Sequence, residues 1–249
     1  MALQTQNPTF LGREFAAAFK KNDFETAIRL AAAGADIYGS IFPEGDALDF
    51  VLSIGGTVHI HFLTGAIGYD VNRRDAAGVT PLFKTILRGN YDQFLAVLRA
   101  KADVNAVVES PKLPFGAGWL KHNYGNMTPL MLACYLGDKK RIKKLLAKKA
   151  DPNSRDAEGY TPLMYLGMRK MACQRVLLDM NIYIDEAGDV VFPGVEEDEG
   201  MREEQAVSIA ELLISKGADP RLQNKSGKTA ANLTPSLVLK KFLKKSYEK

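Results

Sequence analysis

Gly125 to Asn153 reads GNMTPLMLACYLGDKKRIKKLLAKKADPN, and this stretch decides the fold. Thr128-Pro129-Leu130 marks a helix start, because proline in a first helical turn loses no hydrogen bond and the Thr128 hydroxyl can cap that turn. The helix is short and ends near Gly137. Asp138 opens a second helix, in which Ile142, Leu145 and Leu146 recur at helical spacing. Lys149-Ala-Asp-Pro-Asn153 then breaks the helix and turns the chain. The product is one helix-turn-helix-loop unit. Neither helix can bury its apolar face alone, so the unit requires a neighbour of the same shape.

Copies of the unit are present. The loop recurs at Gly34-Ala-Asp-Ile37, Gly68-Tyr-Asp-Val-Asn72, Lys101-Ala-Asp-Val-Asn105, Lys149-Ala-Asp-Pro-Asn153 and Gly217-Ala-Asp-Pro220. Successive loops are 34, 33, 48 and 68 residues apart. The third spacing reads as one period plus an insertion of about 15 residues, and the fourth as two periods. Two periods demand a worn copy between, which Val176 to Ile184 supplies in the shape of a second helix and loop. The helix start recurs at Gly78-Val-Thr80-Pro-Leu82, at Gly159-Tyr-Thr161-Pro-Leu163 and, worn, at Gly227-Lys-Thr229-Ala230.

This pattern resembles the ankyrin repeat family, whose unit is about 33 residues long with a Thr-Pro-Leu helix start. The resemblance implies an all-α fold: a solenoid of about seven helix-turn-helix units with protruding β-hairpin or loop fingers. One domain, 1–249, is expected, with units at about 8–40, 41–74, 75–107, 123–155, 156–184, 185–223 and 224–249. The first helix, around Phe15 to Phe19, carries Arg13, Glu14, Lys20 and Lys21, as a terminal cap facing water should. The second unit is divergent, with Gly55-Gly56 between its helices. A finger insertion at 106–122 holds two Pro, two Gly and the chain's one Trp, Trp119. The sixth unit carries an acidic insertion before a second helix expected at Gln205 to Lys216. The last is a cap ending in Leu239-Lys-Lys-Phe-Leu-Lys-Lys245.

Composition narrows the function. The hydrophobic share of 46% is ample for a continuous core, and the net charge of +4 is mild. Two Cys at unrelated spacing argue against a disulfide framework and fit a reducing, cytoplasmic setting, or translocation without a cleavable leader. The first residues carry no basic region followed by an apolar run. Val51 to Gly68 is the most apolar stretch, too short for a membrane span and better read as core.

No catalytic constellation stands out. There is no phosphate-binding Gly loop, no Gly-x-Ser-x-Gly and no His-Glu-x-x-His. His59 and His61, two apart on a helix, point in different directions and cannot share a metal. Cys134 reads as core packing, and nothing marks Cys173 as activated. The lysines of 139–149 read as a solvated helix face rather than a nucleic-acid site, since no aromatic residue is interleaved. Neither an enzymatic activity, nor a cofactor, nor a small-molecule substrate is expected, and a monomer is.

The resemblance implies that a partner protein meets the finger tips and the inner helix face. The tips lie just before each Thr-Pro-Leu, and the inner-helix positions five to eight residues beyond its Leu. On this chain they include Val79, Leu87 and Arg88; Tyr124, Met127, Tyr135 and Leu136; and Glu158, Tyr160, Met168 and Arg169, with Trp119 overhanging from the finger. Tyr, Trp and Met are enriched at interface cores. The expected function is a non-enzymatic protein-protein interaction module or scaffold that masks or inhibits its partner. The alternative is an effector acting through a catalytic or targeting segment hidden in an insertion. If the finger instead packs over the tyrosines and buries them, the patch is lost.

Overall fold

A computed structural model describes residues 8–39, 46–54, 56–75, 78–87, 90–108, 125–168, 183–184, 190–191 and 199–247. In chain order its helices are α1 (Pro8–Lys20), α2 (Phe24–Ala32), α3 (Ala47–Ile54), α4 (Thr57–Phe62), α5 (Pro81–Leu87), α6 (Tyr91–Arg99), α7 (Pro129–Leu136), α8 (Lys139–Ala147), α9 (Pro162–Met168), α10 (Glu199–Ser215), α11 (Ala230–Leu233) and α12 (Leu237–Lys245). A π-helical turn, Leu63–Ile67, follows α4. Beyond the helices, β1 (Tyr183–Ile184) pairs antiparallel with β2 (Val190–Val191). Most of the finger, the worn copy from Val176 up to Ile182 and Cys173 lie outside the described residues.

The chain divides into two compact units. Unit 1 is Met1–Arg73 with Asn90–Ala102, and unit 2 is Arg74–Gly89 with Asp103–Lys249. The boundary runs through the third repeat, with α6 in unit 1 and α5 in unit 2.

In unit 1, α1 packs on α2, and α6 packs on α4. Phe19, fully buried, gathers Phe15, Phe24, Phe50, His59 and Phe62 around it at centroid distances of 5.3 to 6.3 Å. Arg13, Glu14, Lys20 and Lys21 are exposed, as a terminal cap requires. The Gln93 side chain of α6 donates to the carbonyls of Val51 and Leu52 at 3.1 and 3.2 Å. Those belong to the last turn of α3, whose carbonyls have no partner within the helix.

In unit 2 the helix starts behave as their sequences dictate. Thr128 accepts from the Met131 N–H and Asp138 from the Arg141 N–H. Gly137 ends α7 in the left-handed region at φ 68°. First helices pack on first helices: α5 on α7, α7 on α9, α9 on α11. Every residue of α7 from Pro129 to Leu136 is buried. Gly167 of α9 lies so close to α11 that a Cβ there would meet the Ala230 carbonyl oxygen at 3.0 Å.

The loops are bridged by asparagine. In each loop an Asp side chain accepts the N–H two residues on, from Asn72, Asn105 and Asn153, at 2.8 to 2.9 Å. The Asn side chain then reaches the next loop. Asn72 donates to the Lys101 carbonyl at 3.4 Å and Asn105 to the Lys149 carbonyl at 3.3 Å. Asn105 also accepts from the Asp151 N–H at 2.9 Å. Asn153 donates to the Gly217 carbonyl at 2.7 Å and accepts from the Asp219 N–H at 2.8 Å.

This last bridge corrects the expected count of seven repeats. Asn153 contacts the Gly217 loop as Asn105 contacts the Lys149 loop, so these are adjacent loops with no repeat between. The 68-residue spacing is one period plus about 35 inserted residues. Consistently, α10 packs on α9, and Gln205 of α10 donates to the Gly137 carbonyl. The units expected at 156–184 and 185–223 are therefore one repeat, α9 with α10, carrying a long insertion between its helices. The second helix also starts at Glu199, so part of the acidic run is helix rather than loop.

Two predictions follow from these bonds. Asn153→Ala removes the bonds to a carbonyl and an N–H that water can reach, and should cost about 1 kcal/mol in urea unfolding. Asn72→Ala, which removes the longer Asn72–Lys101 contact, should cost less.

His59 makes unit 1 sensitive to acid. Its Nε2 lies 2.7 Å from Asn22 Oδ1, which only accepts, so Nε2 carries the proton. Nδ1 is buried without a partner among the described residues, and burial holds the imidazole below its usual pKa. The unfolded chain therefore binds this proton more readily than the folded one. Stability is fully present above about pH 6.5 and falls as pH drops through the folded value. His59→Phe should flatten that fall, read as Tm between about pH 5 and 7.5.

Candidate functional site

The glycine-bearing tips of unit 2 are built on one device that the Thr-Pro-Leu motif does not reveal. An Asp or Asn stands three residues before each tip glycine: Asp75 before Gly78, Asp156 before Gly159, Asn224 before Gly227. Its side chain accepts the N–H four residues on, from Val79, Tyr160 and Lys228, at 2.7 to 2.9 Å. Each glycine has positive φ, between 72° and 82°, which closes the turn. The sequence signal was present, since Asp and Asn with a following Gly are turn formers for this reason.

Asp156 is buried and does more. Its second oxygen accepts from the Tyr165 hydroxyl at 2.7 Å, which fixes a fully buried tyrosine of α9 beneath the tip. Tyr160 and Tyr135 both lie against Tyr165, with centroids at 6.1 and 6.5 Å. At Asp75 the second oxygen takes the buried Lys84 ammonium at 2.9 Å. Neighbouring tips are joined through their backbones: the Ala157 N–H donates to the Gly125 carbonyl, and the Lys225 N–H to the Glu158 carbonyl. The root of the finger is closed by an antiparallel bridge between Val108 and Met127.

The expected binding residues fall into three groups. Leu87, Tyr160 and Met168 are half-buried and reach solvent. Val79, Met127, Tyr135 and Leu136 are not surface residues: their exposures are 0, 0, 4 and 8%. The expectation that they form a solvent-facing patch is corrected. Met127 is tied down by the bridge to Val108. Tyr135 and Leu136 sit on α7, which packs against α5, α8 and α9. Arg88, Trp119, Tyr124 and Arg169 lie outside the described residues.

Other candidate chemistry is quiet. Cys134 is fully buried, and burial pushes its thiol far above the ordinary range, which makes it inert. No group of three or more His, Cys, Asp and Glu among the described residues could hold a metal ion. No described helix is long and apolar enough to cross a membrane.

The family model described as Ankyrin repeats (3 copies) matches residues 111–187. This stretch includes α7, α8 and α9, whose capped helix pairs and bridged loops have the corresponding form. Over this stretch the chain is similar to ankyrin repeats. Ankyrin repeats are in general protein-protein interaction modules, and domains built from them are typically non-catalytic. No curated protein sequence matches the chain.

Burial separates the candidates by experiment. Tyr135→Ala should lose about 3 kcal/mol or more in denaturant unfolding, as a buried aromatic truncation does. Met168→Ala, at a half-exposed position, should cost well under half of that.

Proposed function

We propose that this chain is a non-enzymatic module that binds a partner protein over the tips and first-helix ends of unit 2, and that it masks or inhibits that partner. The observation that carries this reading is the Tyr160 tip. Its backbone is held by Asp156, its ring lies against the buried Tyr165, and its side chain still reaches solvent. An aromatic ring on a turn already fixed gives up little conformational freedom on binding, which is how a small surface gains affinity. Met168 at the end of α9 and Leu87 at the end of α5 supply further apolar contact, and Glu158 beside Tyr160 sets the charge of the rim. We place the protein in the cytoplasm as a monomer, in keeping with a free, buried Cys134.

The test is capture of partners from a lysate by wild type and by a Tyr160→Ala, Met168→Ala variant, with circular dichroism as the control for folding. The variant should lose at least about tenfold in the captured partner, as loss of central anchors does. An unchanged set of captured proteins from a folded variant would falsify the assignment.

A further inference from the structure

The second helices of unit 2 carry a feature that partner binding at the tips does not use. They lie in the order α8, α10, α12. The Lys139 ammonium of α8 meets the Ser208 hydroxyl of α10, and Ser236 at the start of α12 donates to Glu203 of α10 at 2.6 Å. Lys140, Lys143, Lys144 and Lys148 are exposed along α8 and its end. Lys140, Lys144 and Lys148 recur every fourth residue, so they form a line with about 6 Å between charges. On α12, Lys241, Lys244 and Lys245 are exposed. None of these seven is ion-paired to a described residue. Between them, among the described side chains of α10, two carboxylates are exposed, Glu204 and Glu211, fewer than the lysines on either side.

A second, independent observation concerns apolar exposure. In unit 2 the exposed large hydrophobic side chains among the described residues are Leu237, at 69%, and Val238, at 48%. Both stand on α12, and Leu237 is one turn from Lys241 on the same face. We infer that this surface docks on an anionic lipid bilayer. Leu237 and Val238 enter the headgroup boundary, and the lysines of α12 and α8 lie at the level of the phosphates.

A bilayer is the partner that takes both halves of the pattern. A duplex nucleic acid takes the charge but has no use for two exposed aliphatic side chains. The exposed residues of α8 and α12 also include no arginine for bidentate recognition and no aromatic ring for base stacking; Arg141 is buried against Asp138. The surface is separate from the tips, so this inference does not rest on the proposed partner binding.

The test is co-sedimentation of the full chain with phosphatidylcholine vesicles, with and without about 30% phosphatidylserine. Binding is expected to the anionic vesicles alone and to be lost in about 0.5 M salt. Each lysine near the surface contributes about fivefold, so Lys241→Gln with Lys244→Gln should weaken binding by tenfold or more. Leu237→Ser with Val238→Ser should weaken it at least as much, with unchanged circular dichroism because both positions are exposed. Tyr160→Ala with Met168→Ala should bind vesicles as wild type does, which separates failure here from failure of the tip assignment. No sedimentation with either vesicle, or equal sedimentation with both, overturns the inference. So does unchanged vesicle binding by the Leu237, Val238 variant together with competition by duplex DNA, which would make the surface a general polyanion site.

Discussion

Everything in unit 2 depends on the contact of one first helix with the next. An eight-residue helix such as α7 is too short to be stable in water by itself. It is also apolar on every side, with α5 and α9 on its flanks and α8 behind it. Burial on all sides supplies what helix propensity cannot, and it demands small residues at the closest approach. Gly167 meets that demand between α9 and α11. Thr128 caps the start of α7 and the left-handed Gly137 ends it after about two turns, which sets the length of the helix.

Two sets of polar bonds hold the register of that packing. On one side, Asn105 and Asn153 each span to the following loop with a donor and an acceptor, so both backbone groups of the neighbour are satisfied. On the other, the tips are joined carbonyl to N–H, from Gly125 to Ala157 and from Glu158 to Lys225. The insertion between α9 and α10 breaks neither set. The entropic cost of a longer loop rises only with the logarithm of its length. About 35 extra residues are therefore tolerated, provided that their two ends leave and rejoin the same repeat.

The chemistry of the surfaces follows from this arrangement. First helices are used up in packing, so they offer solvent only their ends and the turns that precede them. Second helices pack on one face only and keep the other for water, which is why the lysines of α8 are exposed while Ile142, Leu145 and Leu146 are buried. Binding groups must then come from the tips or from the outer sides of second helices. Buried groups such as Cys134 and Tyr165 serve the core.

The sequence by itself determined the repeat, its helix starts at Thr80, Thr128 and Thr161, the second-helix cap at Asp138 and the Ala-Asp loops. Each of these rests on bonds within a few residues, and such bonds leave a local pattern of residue types. The Asp156 and Asn224 turns were equally local and equally legible, though they were passed over. Tertiary structure alone decided which loop follows which, because spacing counts residues and cannot tell a worn repeat from an insertion; the Asn153 side chain on Gly217 can. It also decided that Tyr135 and Leu136 are buried while Tyr160 reaches solvent. Position within a repeat names a face, but whether that face meets water depends on neighbouring helices distant in the chain.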